Sequence, residues 1–157
     1  MAAVSGSFHL SRPCQLIALG FGAGLSPRAP GTVGTALAVP LYLALAQLPW
    51  EWYVLAAVAG FVLGVHCCGR TARDVGVHDH PAIVWDEVIG YLITMTAAPP
   101  EWWWPLMGFI LFRLFDILKP PPIRGLDRRV HGGLGIMLDD VAAGLFAWAC
   151  IQVLAWL

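Results

Sequence analysis

The sequence predicts an all-α integral membrane protein: a small bundle of about five transmembrane helices with its active site on the cytoplasmic side. Three observations carry this. Of the 157 residues, 59% are hydrophobic and only 12% charged, where a soluble domain carries roughly a quarter charged residues; mean hydropathy is +0.72. Charge is absent from five stretches, 29–50, 52–69, 88–100, 102–112 and 141–157. The charged residues that remain are segregated along the chain, which the net charge of −1 conceals. The length predicts one domain over 1–157.

A span needs about 20 largely apolar residues, which places five at about 32–49, 52–69, 82–98, 102–119 and 139–157. The last three reach full length only by admitting Asp86, Glu87, Arg113, Asp116, Asp139 and Asp140 at one end. Alternation of sides puts 1–31, 70–81 and 120–138 on one face. That face holds Arg12, Arg28, Arg70, Arg73, Arg124, Arg128 and Arg129, seven of the nine Lys and Arg, so it is expected to be cytoplasmic. Trp50, Trp52, Trp102, Trp103, Trp104 and Trp156 then form an outer aromatic belt. The four cysteines form no CxxC pair; three fall on the reducing side, and no disulfide is expected. Gln15 to Leu25 reads as an interfacial or re-entrant segment.

Before the first span, residues 20–35 read GFGAGLSPRAPGTVGT. Glycines admit an anion to the backbone, Arg28 adds charge, and Thr32 opens a helix whose dipole favours phosphate. With Ser26 this reads as a phosphate cradle. The same residues equally describe a capped helix start with close-packed glycines. The second span ends in His66-Cys67-Cys68-Gly69-Arg70-Thr71-Ala72-Arg73, the HCx5R spacing of cysteine phosphatases. That chemistry belongs to a strand-loop-helix, and here the pattern ends a membrane helix.

The loop before the third span supplies His78, Asp79 and His80, and the span opens with Asp86 and Glu87, about 100° apart on a helix, a spacing that lets one face a metal while the other points toward a neighbouring helix or water. Arg113 and Asp116 share a face near the end of the fourth span, and Lys119 precedes a triple proline. A basic, glycine-rich loop with Arg124, Arg128 and Arg129 leads to Asp139 and Asp140 at the start of the fifth span, where one acid would suffice for capping.

The third and fifth spans run outward and the fourth inward, so all five carboxylates arrive near one boundary, where uncompensated charge would be prohibitive. Oxygen-only ligands suit Mg²⁺, with Asp86, Glu87, Asp116, Asp139 and Asp140 as the expected ligands. Ser26, Arg28, Thr32, Lys119, Arg124, Arg128 and Arg129 are the expected phosphate binders. Asp86 and Glu87 with His78, Asp79 and His80 form the expected catalytic set, the last three handling protons. A metal-assisted phosphatase follows. Its competitors are a cysteine phosphatase using Cys67 and Arg73, a small ion transporter, whose path would need polar residues through the membrane depth, and a non-catalytic assembly factor.

The segments GFGAGLSPRAPGTVG, GVHDHPAIVWDEVIGYLIT and FRLFDILKPPPIRGLDRRVHGGLGIMLDDVAAG resemble the phosphatidylglycerophosphatase A family of bacterial inner membranes, from about Leu16 to the end of the chain. Pro81 after the HDH triplet and the three prolines closing the fourth span depart from that pattern. The resemblance implies a Mg²⁺-dependent hydrolase that removes the terminal phosphate of phosphatidylglycerophosphate by activating water. It implies a phospholipid substrate and a multi-pass membrane setting, with no nucleic-acid partner.

Overall fold

A computed structural model describes residues 7–157, and among them every regular element is helical. The order is α1 (Pro13–Ala18), a 3-10 turn (Gly20–Leu25), α2 (Pro30–Leu45), α3 (Trp50–Val75), α4 (Trp85–Thr94), α5 (Trp104–Leu118), α6 (Ile123–Arg129) and α7 (Gly132–Trp156). Residues 1–6 of the segment expected on the cytoplasmic face lie outside the described residues.

The five spans of similar length become two long helices and three short ones. By length and composition, α3 and α7 are the helices able to cross a membrane. Their 26 and 25 residues reach roughly 39 and 37 Å, against about 15 Å for the 10 residues of α4. The shortness of α4 has local causes. Before it, the Ile83 amide donates to the His80 carbonyl and the Val84 amide to the Ala18 carbonyl, both at 2.9 Å, which pins 80–84 as a turn against α1. After it, Ala97 takes a left-handed conformation and Pro99-Pro100 stop the helix.

This short helix is the centre of the molecule. Val88, Ile89, Tyr91 and Leu92 are fully buried, with α2, α3, α5 and α7 packed around them. Polar side chains tie it in place: the Trp85 indole donates to Gly60 O on α3 at 2.9 Å, and the Tyr91 hydroxyl to Pro105 O on α5 at 2.9 Å. Neighbouring helices cover α4, so its length need not match the thickness of the bundle. The exterior is apolar instead: Leu55, Val58 and Val62 line one face of α3, and Leu106, Ile110, Leu114 and Ile117 one face of α5, all exposed. Apolar stripes of this extent mark surfaces that meet something other than water.

Two expectations change. Helix α7 starts at Gly132 with His131 as its N-cap, so Asp139 and Asp140 lie about two turns inside it and serve no capping role. Trp104 does not belong to the exposed aromatic belt: it is buried, stacks on Trp103 and donates from its indole to Glu101 Oε2 at 2.9 Å. Trp50, Trp52, Trp102 and Trp156 are exposed. The segment before α2, expected as an interfacial or re-entrant stretch, folds as α1 and the 3-10 turn, with Gln15, Ala18 and Leu19 buried.

Helices α4 and α7 approach each other at near-backbone distance. A Cβ on Gly144 would stand 2.6 Å from the Gly90 carbonyl oxygen, a backbone atom that cannot swing aside. This contact brings the acids of α4 to those of α7. Gly144→Ala is expected to lower stability by about 1–3 kcal/mol, read as a lower thermal unfolding temperature in detergent; an unchanged midpoint would show that the two helices separate without cost.

Candidate active site

At one end of the bundle, the start of α4, the end of α5 and the first turns of α7 enclose a cavity of about 190 Å³. All five carboxylates expected from the sequence border it: Asp86, Glu87, Asp116, Asp139 and Asp140. Asp79, His80 and Lys119 complete its polar lining. Asp86, Asp139 and Asp140 are buried, and Asp86, Glu87 and Asp140 each offer an oxygen within 4.8 Å of the other two. Both acids of α4, each named among the expected ligands, thus reach one group although they stand about 100° apart on the helix. Asp86 Oδ1 and Glu87 Oε2 are buried without a hydrogen-bond partner. An unpaired buried carboxylate oxygen is costly.

Two cations flank this trio. Arg113 pairs through Nη1 with Asp116, one helical turn along α5, and stands 3.9 Å from Glu87 Oε1, while its own Nε is buried and unpartnered. Lys119, the residue that ends α5, donates from Nζ to Asp139 Oδ2 at 2.6 Å and lies 3.9 Å from Asp127 Oδ2. Asp79, Asp127 and Asp139 form a second group with oxygens within 4.8 Å of one another. The five expected ligands therefore divide: three converge, Asp116 is held by Arg113, and Asp139 is turned to Lys119. In the mouth, desolvation pushes the Asp79 carboxyl above its ordinary range, and Lys119 partly opposes the push.

The two loop histidines part company. His80 borders the cavity, and its Nδ1 accepts from the Ala82 amide at 3.1 Å, so the neutral ring carries its proton on Nε2. His78 instead accepts at Nε2 from the Gly132 amide at 2.9 Å and packs edge-on against His131, which places it at the start of α7 and outside the cavity lining.

The glycine-rich segment meets the site through its backbone. A Cβ on Gly31 would fall 2.6 Å from Glu87 Oε1 and 3.1 Å from Arg113 Nη1, so the first turn of α2, including Thr32, lies against the acid group. The Ser26 hydroxyl donates to Arg28 O at 2.9 Å, closing the turn before it. Arg28, Arg124, Arg128 and Arg129 are exposed and do not border the cavity. Residues 66–73 lie wholly within α3, where helical hydrogen bonds occupy the amides that a cysteine phosphatase uses to bind phosphate, and Cys67 is buried.

Sequence reasoning missed two residues. Arg113 was visible as an i, i+3 partner of Asp116, but its contact with Glu87 is tertiary. Asp127 was absorbed into a basic loop that the structure folds as α6; no periodicity in its seven residues announces a helix.

A family model described as "Phosphatidylglycerophosphatase A" matches residues 16–155. The chain is 50% identical over 139 residues to the phosphatidylglycerophosphatase A of Escherichia coli, covering 88% of this chain and 81% of that one. It is 46% identical over 143 residues to the protein of the same name from Haemophilus influenzae, covering 88% and 86%. A putative phosphatidylinositol-3-phosphatase of Bacteroides thetaiotaomicron is 36% identical over 148 residues, covering 90% and 92%. No solved structure matches.

Replacing Arg113 with Met leaves Glu87 and Asp116 without their counter-charge, and the expected loss is about 3–5 kcal/mol. The exposed Arg124→Met is expected to stay within about 0.5 kcal/mol of the parent. Denaturant titration in detergent compares the two, and equal stabilities would remove Arg113 from its supporting role.

Proposed function

From the premise that the chain belongs to the phosphatidylglycerophosphatase A family, we propose that it is a membrane lipid phosphatase that hydrolyses the terminal phosphomonoester of phosphatidylglycerophosphate, releasing phosphatidylglycerol and phosphate. The observation that carries the reading is the buried trio Asp86, Glu87 and Asp140, with two orphaned oxygens, beside the first turn of α2. The family match supports the reaction; the donor set supports the cofactor, Mg²⁺.

The residues present fit that ion. Mg²⁺ prefers carboxylate oxygen and binds through a few carboxylates together with substrate phosphate. Asp86, Glu87 and Asp140 would hold it, with Asp139 and Asp116 alongside. When bound, the cation supplies positive charge against the phosphoryl oxygens and makes a water more acidic.

The remaining work falls to this chain's own groups. Arg113 fixes Glu87 and Asp116 and lies beside Gly31, so a phosphoryl group seated at the α2 start meets its guanidinium and the free first-turn amides of Gly31 and Thr32. Lys119 holds Asp139. His80, with its proton on Nε2, is placed to donate a hydrogen bond from it to the departing glycerol oxygen as that oxygen gains charge. Asp79, in the mouth, is the candidate for steering water. His78 acts through structure, holding the start of α7. Arg28, Arg124, Arg128 and Arg129, with Ser26 shaping the Arg28 turn, suit the anionic headgroup and the lipid surface around it.

The setting that suits this chemistry is a bacterial inner membrane, with α2, α3, α4, α5 and α7 embedded as five spans of one phosphatase domain and the acid end toward the cytoplasm. The apolar stripes on α3 and α5 support embedding. The segregation of Lys and Arg supports the orientation. The irregular ends of α4 are tolerable at membrane depth because protein covers them.

Phosphate release from phosphatidylglycerophosphate in mixed micelles tests the reaction, with phosphatidylinositol 3-phosphate as the competing substrate. Turnover is expected with Mg²⁺, to vanish in excess EDTA and to fall by about a hundredfold or more in Asp86→Asn. Turnover indifferent to EDTA, or faster on the inositol lipid, would overturn the cofactor or the substrate assignment respectively. For His80→Gln the expected loss is on the order of a hundredfold on the glycerol ester. A nitrophenyl phosphate, whose leaving group needs little stabilisation, should lose far less; equal losses would deny His80 a role at the leaving oxygen.

A further inference from the structure

Away from the acid cavity, Cys14 on α1 and Cys67 on α3 face each other, and the Cys67 thiol donates to Cys14 Sγ across 3.2 Å. A disulfide requires about 2 Å between the sulfurs, so a small shift of one rotamer or of the short α1 closes the gap. Cys67 is buried, and Cys14 is partly open to a second cavity of about 620 Å³ bordered by Arg12, Gln15, Arg70 and Asp74. Within it Asp74 is engaged by Arg12 at 3.6 Å and by the Gln15 amide at 3.4 Å. Arg70 has no ion-pair partner among the described residues. The cavity thus joins one approachable thiol, one resolving thiol behind it and an unspent guanidinium.

We propose that Cys14 and Cys67 are a reversible dithiol–disulfide pair, oxidised by an anionic low-molecular-weight disulfide that docks against Arg70. The Cys14 thiolate attacks one sulfur of the incoming disulfide, forming a mixed disulfide and expelling one thiolate, which takes up the proton Cys14 gave up. Cys67 then loses its proton and attacks Cys14 Sγ, and the second small thiol leaves with that proton. Two protein thiols are oxidised and one small disulfide is reduced to two thiols. The bond ties α1 to α3, and through the Val84–Ala18 hydrogen bond α1 supports the turn that enters α4.

The test uses the full-length protein in lipid nanodiscs treated with glutathione disulfide, trapped by acid and unfolded before free thiols are counted and cross-linked peptides are mapped. The four thiols of the chain should fall by two, with Cys14 joined to Cys67. Cys68→Ser should form the same bond. Cys67→Ser should stop at a glutathione adduct on Cys14, and Cys14→Ser should show neither. Arg70→Gln should slow oxidation by glutathione disulfide several-fold and leave oxidation by the neutral hydroxyethyl disulfide unchanged. A bond through Cys68 or Cys150, or none in the folded protein, overturns the pairing. Equal rates in Arg70→Gln with both reagents overturn the anionic ligand.

Discussion

The structure depends on holding like charges together in a bundle with an apolar exterior. Asp86, Glu87 and Asp140 lie within 4.8 Å of one another; at an effective dielectric of about 20, each ionised pair at that separation repels by roughly 3–4 kcal/mol. The trio together approaches about 10 kcal/mol, comparable to the whole stability of an ordinary domain. Lys119 answers Asp139, and the single charge of Arg113 is shared between Asp116 and Glu87. Asp86 and Asp140 have no ion-pair partner among the described residues, so an excess of negative charge is left at the centre for protons or a cation to neutralise.

Keeping the acids together governs the helices. Asp86 and Glu87 must begin a helix and Asp140 must lie well inside another, so α4 and α7 have to pack at near-backbone distance just beyond the acids. Gly90 and Gly144 permit that approach. Helix α4 is consequently enclosed, and enclosure frees it from the length that the outward-facing α3 reaches. The same geometry explains why α7 extends back to Gly132: the added turns carry its start to His78 and α6, which close the mouth from the side of Asp127.

Helical class, the existence of all five apolar segments and the convergence of five carboxylates were legible in the sequence, because hydropathy and charge placement are one-dimensional signals. Helix lengths were not. The start of α4 is set by a hydrogen bond to Ala18, far away in sequence, and the start of α7 by a glycine pair that reads locally as a loop. Asp86 and Glu87 defied their angular separation because side-chain reach, not only the helical wheel, decides what two adjacent residues touch. His78 and His80 look equivalent two positions apart, yet one accepts from Gly132 and the other from Ala82. Hydrogen-bond partners of that kind leave no trace in spacing.

The acid cavity, of about 190 Å³, is lined by carboxylates, His80 and Lys119, and the exposed arginines lie outside it. On the proposed reading, contacts to the lipid headgroup would fall outside the cavity, on the turn holding Arg28 and on the exposed arginines of α6. Those groups bind through flexible side chains in a screened setting, where each contributes little and specificity is a sum of small terms. On that reading, reaction and headgroup contact would rest on separate structures: the first on buried, close-packed helices, the second on a surface that can change residue by residue without disturbing the carboxylates beneath it.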